Sequence, residues 1–250
     1  MSARFHRKLA ALVTILLSST RVLLAQSVSP PVAEYQERAR SSFQLQNGSI
    51  FPITAVLEVR GFTITERGEV VDVPLDTTRI KVKLSEMSFK IPAKGSRTVF
   101  YEARSDSLPA WFNILSALSG ARTENGLNVR ILLPHVVYLN QKQPLRKEDV
   151  AIRAFDFDPA TRKVRVQLEN LSPNLGRVYQ LTVANRETTS SPTGGFPLLP
   201  RSRRWVELDW DTPAAPTRLV ARISRFTVDT ALTAGGPSLA ADSLAGAGRP

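Results

Sequence analysis

The stretch Gly126-Leu-Asn-Val-Arg-Ile-Leu-Leu-Pro-His-Val-Val-Tyr-Leu139 is the most informative part of the chain. Val129, Ile131 and Leu133 fall on one face and alternate with polar residues until Leu132 breaks the pattern. This period of two, with β-branched residues, predicts a half-buried β-strand. Pro134 has no backbone N–H, which is tolerated at a sheet edge or a bulge but not in a sheet centre. The residues predict an apolar strand at a sheet edge; an ordinary core strand that bends at its proline is the alternative.

An apolar edge strand has a functional implication. Unpaired backbone groups beside apolar side chains are an aggregation hazard, and proteins that keep such an edge often pair it with a strand of another chain. An apolar edge in this chain therefore predicts a partner chain that pairs with it.

The N-terminus has the composition of a secretory signal peptide. Arg4, Arg7 and Lys8 precede a short apolar run over 9–17, and small residues precede Gln26. The run is too short to span a bilayer. Residues 1–25 are therefore predicted to direct export and then to be removed, with an uncleaved anchor as the alternative. No later segment is apolar and long enough to cross a membrane, so no stable membrane insertion is expected after cleavage.

Charge and cysteine content restrict the partners further. The net charge of the whole chain is +11, and it falls to +7 without residues 1–25, which hold four basic residues and no acidic one. A modest positive excess is compatible with acidic partners or an anionic membrane surface. Nucleic acid is not expected, because the basic residues are scattered and no recognition motif accompanies them. Cysteine is absent, so the exported chain must rely on its hydrophobic cores rather than on disulfides.

Short alternating segments separated by turn residues fill the chain from about residue 28 to residue 225, and no long helical period interrupts them. This pattern predicts an all-β chain of two immunoglobulin-like antiparallel β-sandwich domains in tandem. Segment 111–115 fits either a strand or a short helix, and 119–126 reads as a polar loop. The expected divisions are a signal peptide over 1–25, a first domain over 26–141, a linker over 142–149, a second domain over 150–229 and a disordered tail over 230–250.

Residues for catalysis or for a cofactor are scarce. His135 is the one histidine after residue 25, and its place in an apolar strand favours a buried structural side chain over a catalytic base. Asp156 and Asp158 precede Pro159 at a strand end, where carboxylates usually cap turns. One histidine without cysteine makes a zinc site improbable. No enzyme activity, metal or cofactor is expected; an enzyme that uses His135 is the weakest alternative.

Several segments together resemble the periplasmic pilus-assembly chaperones, which have two immunoglobulin-like domains. Val28-Ser-Pro30 is similar to the opening of that family's first strand. Phe43-Gln-Leu-Gln-Asn47 followed by Pro52 resembles its second strand, and Val164 to Asn170 repeats the pattern in the second domain. Similar turn-and-strand patterns occur at Glu86 to Val99 and Gly195 to Pro200.

The resemblance implies an exported, periplasmic and non-enzymatic assembly factor for pilin-like protein subunits, with an outer-membrane usher as a further candidate partner. In that family the strand before the linker is donated to an incomplete subunit, and Val129, Ile131 and Leu133 match the donor positions. Better-known members also hold the subunit's C-terminal carboxylate with two cations. Here Pro30-Pro31-Val32 replaces one of them, and Arg130, on the opposite face, is the one cation left for the donor strand.

A second class of protein fits the same architecture. Two β-sandwich domains without catalytic residues also suit a cell-envelope or adhesion protein, which would bind a carbohydrate or a surface instead of a folding subunit. Capture of a pilin-like partner would favour the chaperone over this alternative.

Overall fold

The architecture is described from a computed structural model, which describes residues 26–122 and 128–232. Apart from one turn of 3-10 helix at Lys147–Asp149, the regular elements of these two ranges are all β-strands. They form two β-sandwiches in tandem, so the predicted fold class is confirmed. The predicted signal peptide, and residues 233–250 of the predicted tail, lie outside the described residues.

The first domain has two facing sheets. Its strands are β1 (Ser27–Ser29), β2 (Val32–Gln36), β3 (Arg38–Gln46), β4 (Ile53–Ile64), β5 (Val70–Val73), β6 (Ile80–Leu84), β7 (Ser88–Ile91), β8 (Ser96–Ser105), β9 (Ala110–Arg122) and β10 (Asn128–Asn140). Sheet 1 has the order β1-β3-β8-β6. Sheet 2 has the order β2-β10-β9-β4-β5, with β7 also paired to β4. The alternating apolar residues of both sheets meet between them, and the largest fully buried ones are Phe43, Leu45, Ile53, Ile91, Tyr101, Phe112, Ile114, Leu118 and Leu139.

The start of the first domain is divided between its two sheets. β1 pairs antiparallel with β3, whereas β2 pairs parallel with the C-terminal part of β10. Pro30 and Pro31 separate the two strands, and because proline cannot donate to a ladder, the chain leaves sheet 1 there and enters sheet 2. The sequence predicted the strand opening at Val28–Pro30 but not this change of sheet.

The second domain repeats the two-layer arrangement. Its strands are β11 (Val150–Asp158), β12 (Lys163–Asn170), β13 (Gly176–Ala184), β14 (Phe196–Leu198), β15 (Arg203–Asp209), β16 (Arg218–Ile223) and β17 (Phe226–Ala231). Sheet 3 has the order β11-β12-β15, and sheet 4 the order β14-β13-β16-β17. Trp210 is the largest side chain in the core between them.

Three sequence-based expectations need correction. Segment 111–115 is a strand, and β9 extends to Arg122, so part of the expected loop over 119–126 continues the sheet. Leu145, in the expected linker, is buried in the second domain against Gly176, where no Cβ could fit beside it. The expected tail overlaps β17 at Thr230 and Ala231, and Leu232 packs on the core. The six-residue alternation of β17 was not recognised from the sequence because the strand begins soon after β16 ends at Ile223.

A buried asparagine lies at the end of one strand in each domain and makes the same kind of hydrogen bonds there. Asn47 directly follows β3, and Asn170 is the last residue of β12. Buried Asn47 donates from Nδ2 to the carbonyls of Phe51 (2.8 Å) and Pro92 (2.9 Å), and its Oδ1 accepts from the Ser49 amide. Asn170 is buried in the same way. Its Nδ2 donates to the carbonyls of Asn174, Leu198 and Leu199, and its Oδ1 accepts from the Ser172 amide and hydroxyl. Each amide thus satisfies backbone groups that no ladder could pair.

We expect Asn47→Asp and Asn170→Asp to destabilise their domains strongly. A carboxylate cannot donate to the surrounding carbonyls and would bury an uncompensated charge, which costs about 3–5 kcal/mol of unfolding free energy. Asn185→Asp is the matched control, because the Asn185 side chain only accepts, from the amides of Glu187 and Thr188. Urea unfolding followed by circular dichroism measures the difference; equal loss in all three variants would contradict the expectation.

Candidate functional site

The strand that the sequence placed at an edge has an open edge over half of its length. β10 pairs with β9 from Asn128 to Leu139, but with β2 only from Val136 to Asn140. The change of sheet at Pro30 and Pro31 is the cause, because the chain that would cover residues 128–135 lies instead in sheet 1 as β1. The edge prediction is therefore correct for the N-terminal half of β10, and the C-terminal half is covered.

The backbone groups of this half can be assigned by alternation. The Val136 N–H donates to the Pro31 carbonyl at 2.9 Å, so residue 136 presents its backbone groups to the side where β2 lies. Successive residues of a strand present them to opposite sides, so Arg130, Leu132 and Pro134 face the same side, which is open. Pro134 is tolerated there because the N–H that it lacks would not have paired with β9. Two amides, at 130 and 132, are thus directed to the open edge.

The structure places the three predicted donor side chains on one face of β10. Val129 is 37% exposed, whereas Ile131 and Leu133 are half-buried and pack on the edge of the first domain's core. The same row continues into fully buried His135 and Val137. Side-chain exposure therefore decreases along this row from Val129 to Val137, and Val129 is the most accessible residue of the row.

The opposite face of β10 carries a different set of side chains. Arg130, Leu132 and Pro134 are exposed there, with Leu132 at 58%. The ladder with β9 shifts register between Val129 and Ile131, and the extra residue lies in β9 beside Gly120, whose φ is +89°. Arg130 lies on the face of β10 that alternation predicts, whereas a lone glycine in a polar segment did not reveal the bulge.

The His135 side chain is hydrogen-bonded to the segment where the chain passes from sheet 1 to sheet 2. Its Nδ1 lies 2.7 Å from the Pro30 carbonyl and its Nε2 lies 3.0 Å from the Tyr101 hydroxyl. Because a carbonyl can only accept, Nδ1 carries the proton, and Tyr101 must donate to Nε2. The Tyr35 hydroxyl then donates to Tyr101 across 2.9 Å, and the imidazole stacks on the Phe43 ring with centroids 4.7 Å apart.

Burial shifts both central groups of this network towards their neutral forms. It lowers the pKa of the His135 imidazole, although the hydrogen bond to Pro30 acts in the opposite direction. It also raises the pKa of Tyr101 well above its usual range, with the hydrogen bond from Tyr35 adding to the effect. Both ring nitrogens of His135 are occupied inside the core, so this side chain is structural, as the sequence favoured, and does not act as a catalytic base.

The junction between the domains contains a cation that the sequence did not identify. The Arg177 guanidinium pairs with the Glu34 carboxylate, donates to the Gly195 carbonyl at 2.7 Å and covers the Tyr138 ring. Burial raises the pKa of Tyr138. Glu34 and Arg177 stand in different domains, and nothing in local sequence indicates that they meet. The positive charge of Arg177 is therefore already paired with Glu34 within the chain.

Apolar residues from both domains surround this pair. We call them the junction cluster, which consists of Phe62, Tyr138, Leu175 and Leu199, with Ile64, Trp111 and Val136 packed against it. Gln141 adds a reciprocal pair of hydrogen bonds to the Leu175 backbone, at 3.1 and 3.2 Å. Tyr138 and Val136 belong to β10, so the strand with the open edge also reaches the second domain.

Within residues 26–122 and 128–232 no helix has the length and apolar character needed to cross a membrane. In the same part of the chain, no cluster of histidine, cysteine and acidic residues could hold a metal ion.

The position of His135 predicts how stability depends on pH. The folded state holds the imidazole neutral, whereas the unfolded chain binds a proton below about pH 6.5. The stabilisation is therefore present above that pH and is lost as the pH falls, with a limiting slope of about 1.4 kcal/mol per pH unit for one proton. Urea unfolding between about pH 7.5 and 5.5 should show this slope, and His135→Gln should remove it. An unchanged slope in the variant would contradict the assignment.

Comparison with known proteins gives structural matches only. No protein-family model matches the chain, and none of the curated proteins matches it. A complex of the Salmonella enterica SafA pilin with the SafB chaperone contains a chain that is 12% identical, with a TM-score of 0.51, over 84% of this chain and 97% of that one.

Two further solved structures show weaker similarity. A chain of the Acinetobacter baumannii CsuC–CsuE chaperone–tip adhesion subunit complex is 9% identical, with a TM-score of 0.47, over 83% of this chain and 97% of that one. The Pseudomonas aeruginosa CupB2 chaperone is 15% identical, with a TM-score of 0.44, over 82% of this chain and all of that one. The resemblance inferred from sequence is confirmed at the level of the fold: the chain has the two-domain β-sandwich fold of the fimbrial chaperones.

Proposed function

We propose that this chain is an exported, divergent pilus-assembly chaperone that binds pilin-like subunits by donor-strand complementation. The observation that carries the proposal is the open half of β10, where an alternating apolar row adjoins backbone amides that pair with no other strand among residues 26–122 and 128–232. A subunit that lacks one strand would pair its own edge with residues 129–134 and accept the apolar row into its core.

Backbone and side chains have separate roles in this complex. The amides of Arg130 and Leu132 and the carbonyl of Pro134 supply ladder hydrogen bonds, which any extended partner can use. The row Val129, Ile131 and Leu133 supplies selectivity, since complete burial of one such side chain is worth about 1.5–3 kcal/mol. Ile131 and Leu133 gain less than this, because they are already half-buried in the free protein.

A known complex with the same fold supports this class of partner, since the SafB chaperone is solved with the SafA pilin. For the present chain we propose pilin-like subunits as partners and the periplasm as the compartment, reached through the signal peptide predicted over 1–25. An outer-membrane usher is the further partner that the family resemblance implies.

A charged anchor for a subunit carboxylate has little support. Arg130 is exposed, but it lies on the face of β10 opposite the apolar row. Arg177, near the junction of the domains, is already paired with Glu34. We therefore propose that strand pairing and side-chain burial hold the subunit, and that Arg130 contributes at most to the rim of the contact.

Leu132→Pro tests the backbone part of the proposal. The Leu132 amide is not used within sheet 2 and its side chain is 58% exposed, so the fold should tolerate proline as it does at 134. We expect loss of co-purification with pilin-like subunits expressed in the same cell, while the urea midpoint stays close to that of the wild type. Leu132→Ala keeps the amide and is the matched control. Capture by the proline variant, or loss in both variants, would count against strand pairing.

Val129→Asp tests the side-chain part. Val129 is the most accessible member of the row, so the charge costs the free protein little, but in the complex it would be buried without a partner. We expect subunit affinity to fall by roughly 100-fold or more. Ile131→Asp, which the sequence alone would suggest equally, also disturbs the first domain's core and is less informative. Affinity equal to that of the wild type would refute the assigned role of this row.

A further inference from the structure

The outer face of sheet 1, on the layer opposite β10, carries a basic surface. Its side chains form rows across β3, β8 and β6, because residues in register lie side by side. One row is Arg38, Arg104 and Lys81, and the next is Arg40, Glu102 and Lys83. All six residues are exposed. We call them the basic face; it holds five cations and one carboxylate.

The first of these rows places three like charges directly opposite one another. Among the described residues, Arg38 and Arg104 have no ion pair, and the Lys81 ammonium donates to the Thr77 carbonyl at 2.6 Å. The single acid, Glu102, lies 3.2 Å from Arg40. Neighbouring strands are about 5 Å apart, so the row lies within one Debye length and its charges repel one another. This arrangement destabilises the free sheet.

Several cations on other strands are arranged differently. They lie beside a carboxylate of a neighbouring strand or segment, whereas Arg38 and Arg104 lie beside another cation. Such cation–carboxylate pairs are Lys163–Asp209, Arg203–Glu169, Arg97–Glu86 and Arg218–Asp229.

An aromatic side chain projects from the next row of the same face. Phe100 is 61% exposed, although the ring of a phenylalanine is normally covered. It pairs with Ser42 in β3, and Ser85 accepts its amide hydrogen bond on the other side at 3.1 Å. Both neighbours are small, so the ring stands clear of its own row beside the cations.

We propose that the basic face is a docking surface for an anionic phospholipid membrane. The outer face of one sheet presents its five cations in a single layer, which fits a plane of phosphate groups. Each cation near such a surface contributes attraction, and an aromatic ring beside the cations can enter the boundary between headgroups and acyl chains. The contact is peripheral and requires no spanning segment. Because the open edge of β10 lies in the other sheet, it stays accessible on the bound protein.

An acidic protein segment would match the charges, but its carboxylates would need to meet the row in register. The depression beside Phe100 is lined mainly by polar side chains, among them Arg40, Lys83 and Glu102, which suit a charged group better than the apolar side chain of a partner. A membrane supplies both the charge and the apolar layer. The inference uses only the outer face of sheet 1 and does not depend on the proposed binding of subunits.

Sedimentation with lipid vesicles tests the proposal on the mature full-length chain. It should bind vesicles of phosphatidylglycerol and phosphatidylcholine but not vesicles of phosphatidylcholine alone, and about 0.5 M salt should weaken the binding. Arg38→Gln with Arg104→Gln should lower the partition coefficient by roughly 30-fold, and Phe100→Ser by roughly 3- to 10-fold.

Arg162→Gln with Arg186→Gln is the matched control, since both arginines are exposed in the second domain and the net charge changes equally. It should leave the partition coefficient within roughly threefold of the wild type. An equal loss in the control pair, or no binding to the anionic vesicles, would overturn the proposal. Binding to polyglutamate without binding to vesicles would replace it with an acidic protein partner.

Discussion

The hydrogen bond from His135 Nδ1 to the Pro30 carbonyl is the constraint on which the architecture of the first domain depends. It holds the two prolines at the point where the chain passes from sheet 1 to sheet 2, and Tyr101 and Tyr35 extend it to both sheets. If the change of sheet came earlier, β2 would cover the whole of β10 and no open edge would exist. A buried neutral imidazole thus determines how much backbone remains available to a partner.

The same kind of asparagine contact stabilises the sandwich of each domain, whereas a different set of contacts joins the two domains. Asn47 and Asn170 each satisfy carbonyls that the ladders leave unpaired, and each is followed two residues later by a serine that returns hydrogen bonds. The junction cluster, by contrast, contains no asparagine of this kind. It combines apolar side chains with the Glu34–Arg177 pair, so the charge of Arg177 is used in the contact between the domains.

Local patterns in the sequence were sufficient for most of the strands and for part of the candidate site. Alternation predicted β10 and its apolar row, and Pro134 indicated an open side because a missing N–H has a direct structural meaning. The change of sheet, the bulge at Gly120, the Glu34–Arg177 pair and the row of Arg38, Arg104 and Lys81 were not predictable in this way. Each depends on which distant strand becomes a neighbour, and periodicity within one strand carries no information on register between strands.

The length of β10 has a mechanical consequence. The strand has 13 residues and extends for about 43 Å without interruption, from the open edge through His135 to Tyr138 in the junction cluster. A pull on a strand paired with residues 130–134 acts along this axis, so the hydrogen bonds to β9 are loaded together in shear instead of being opened one by one. The force then passes through Val137 into the first domain's core and through Tyr138 into the junction cluster.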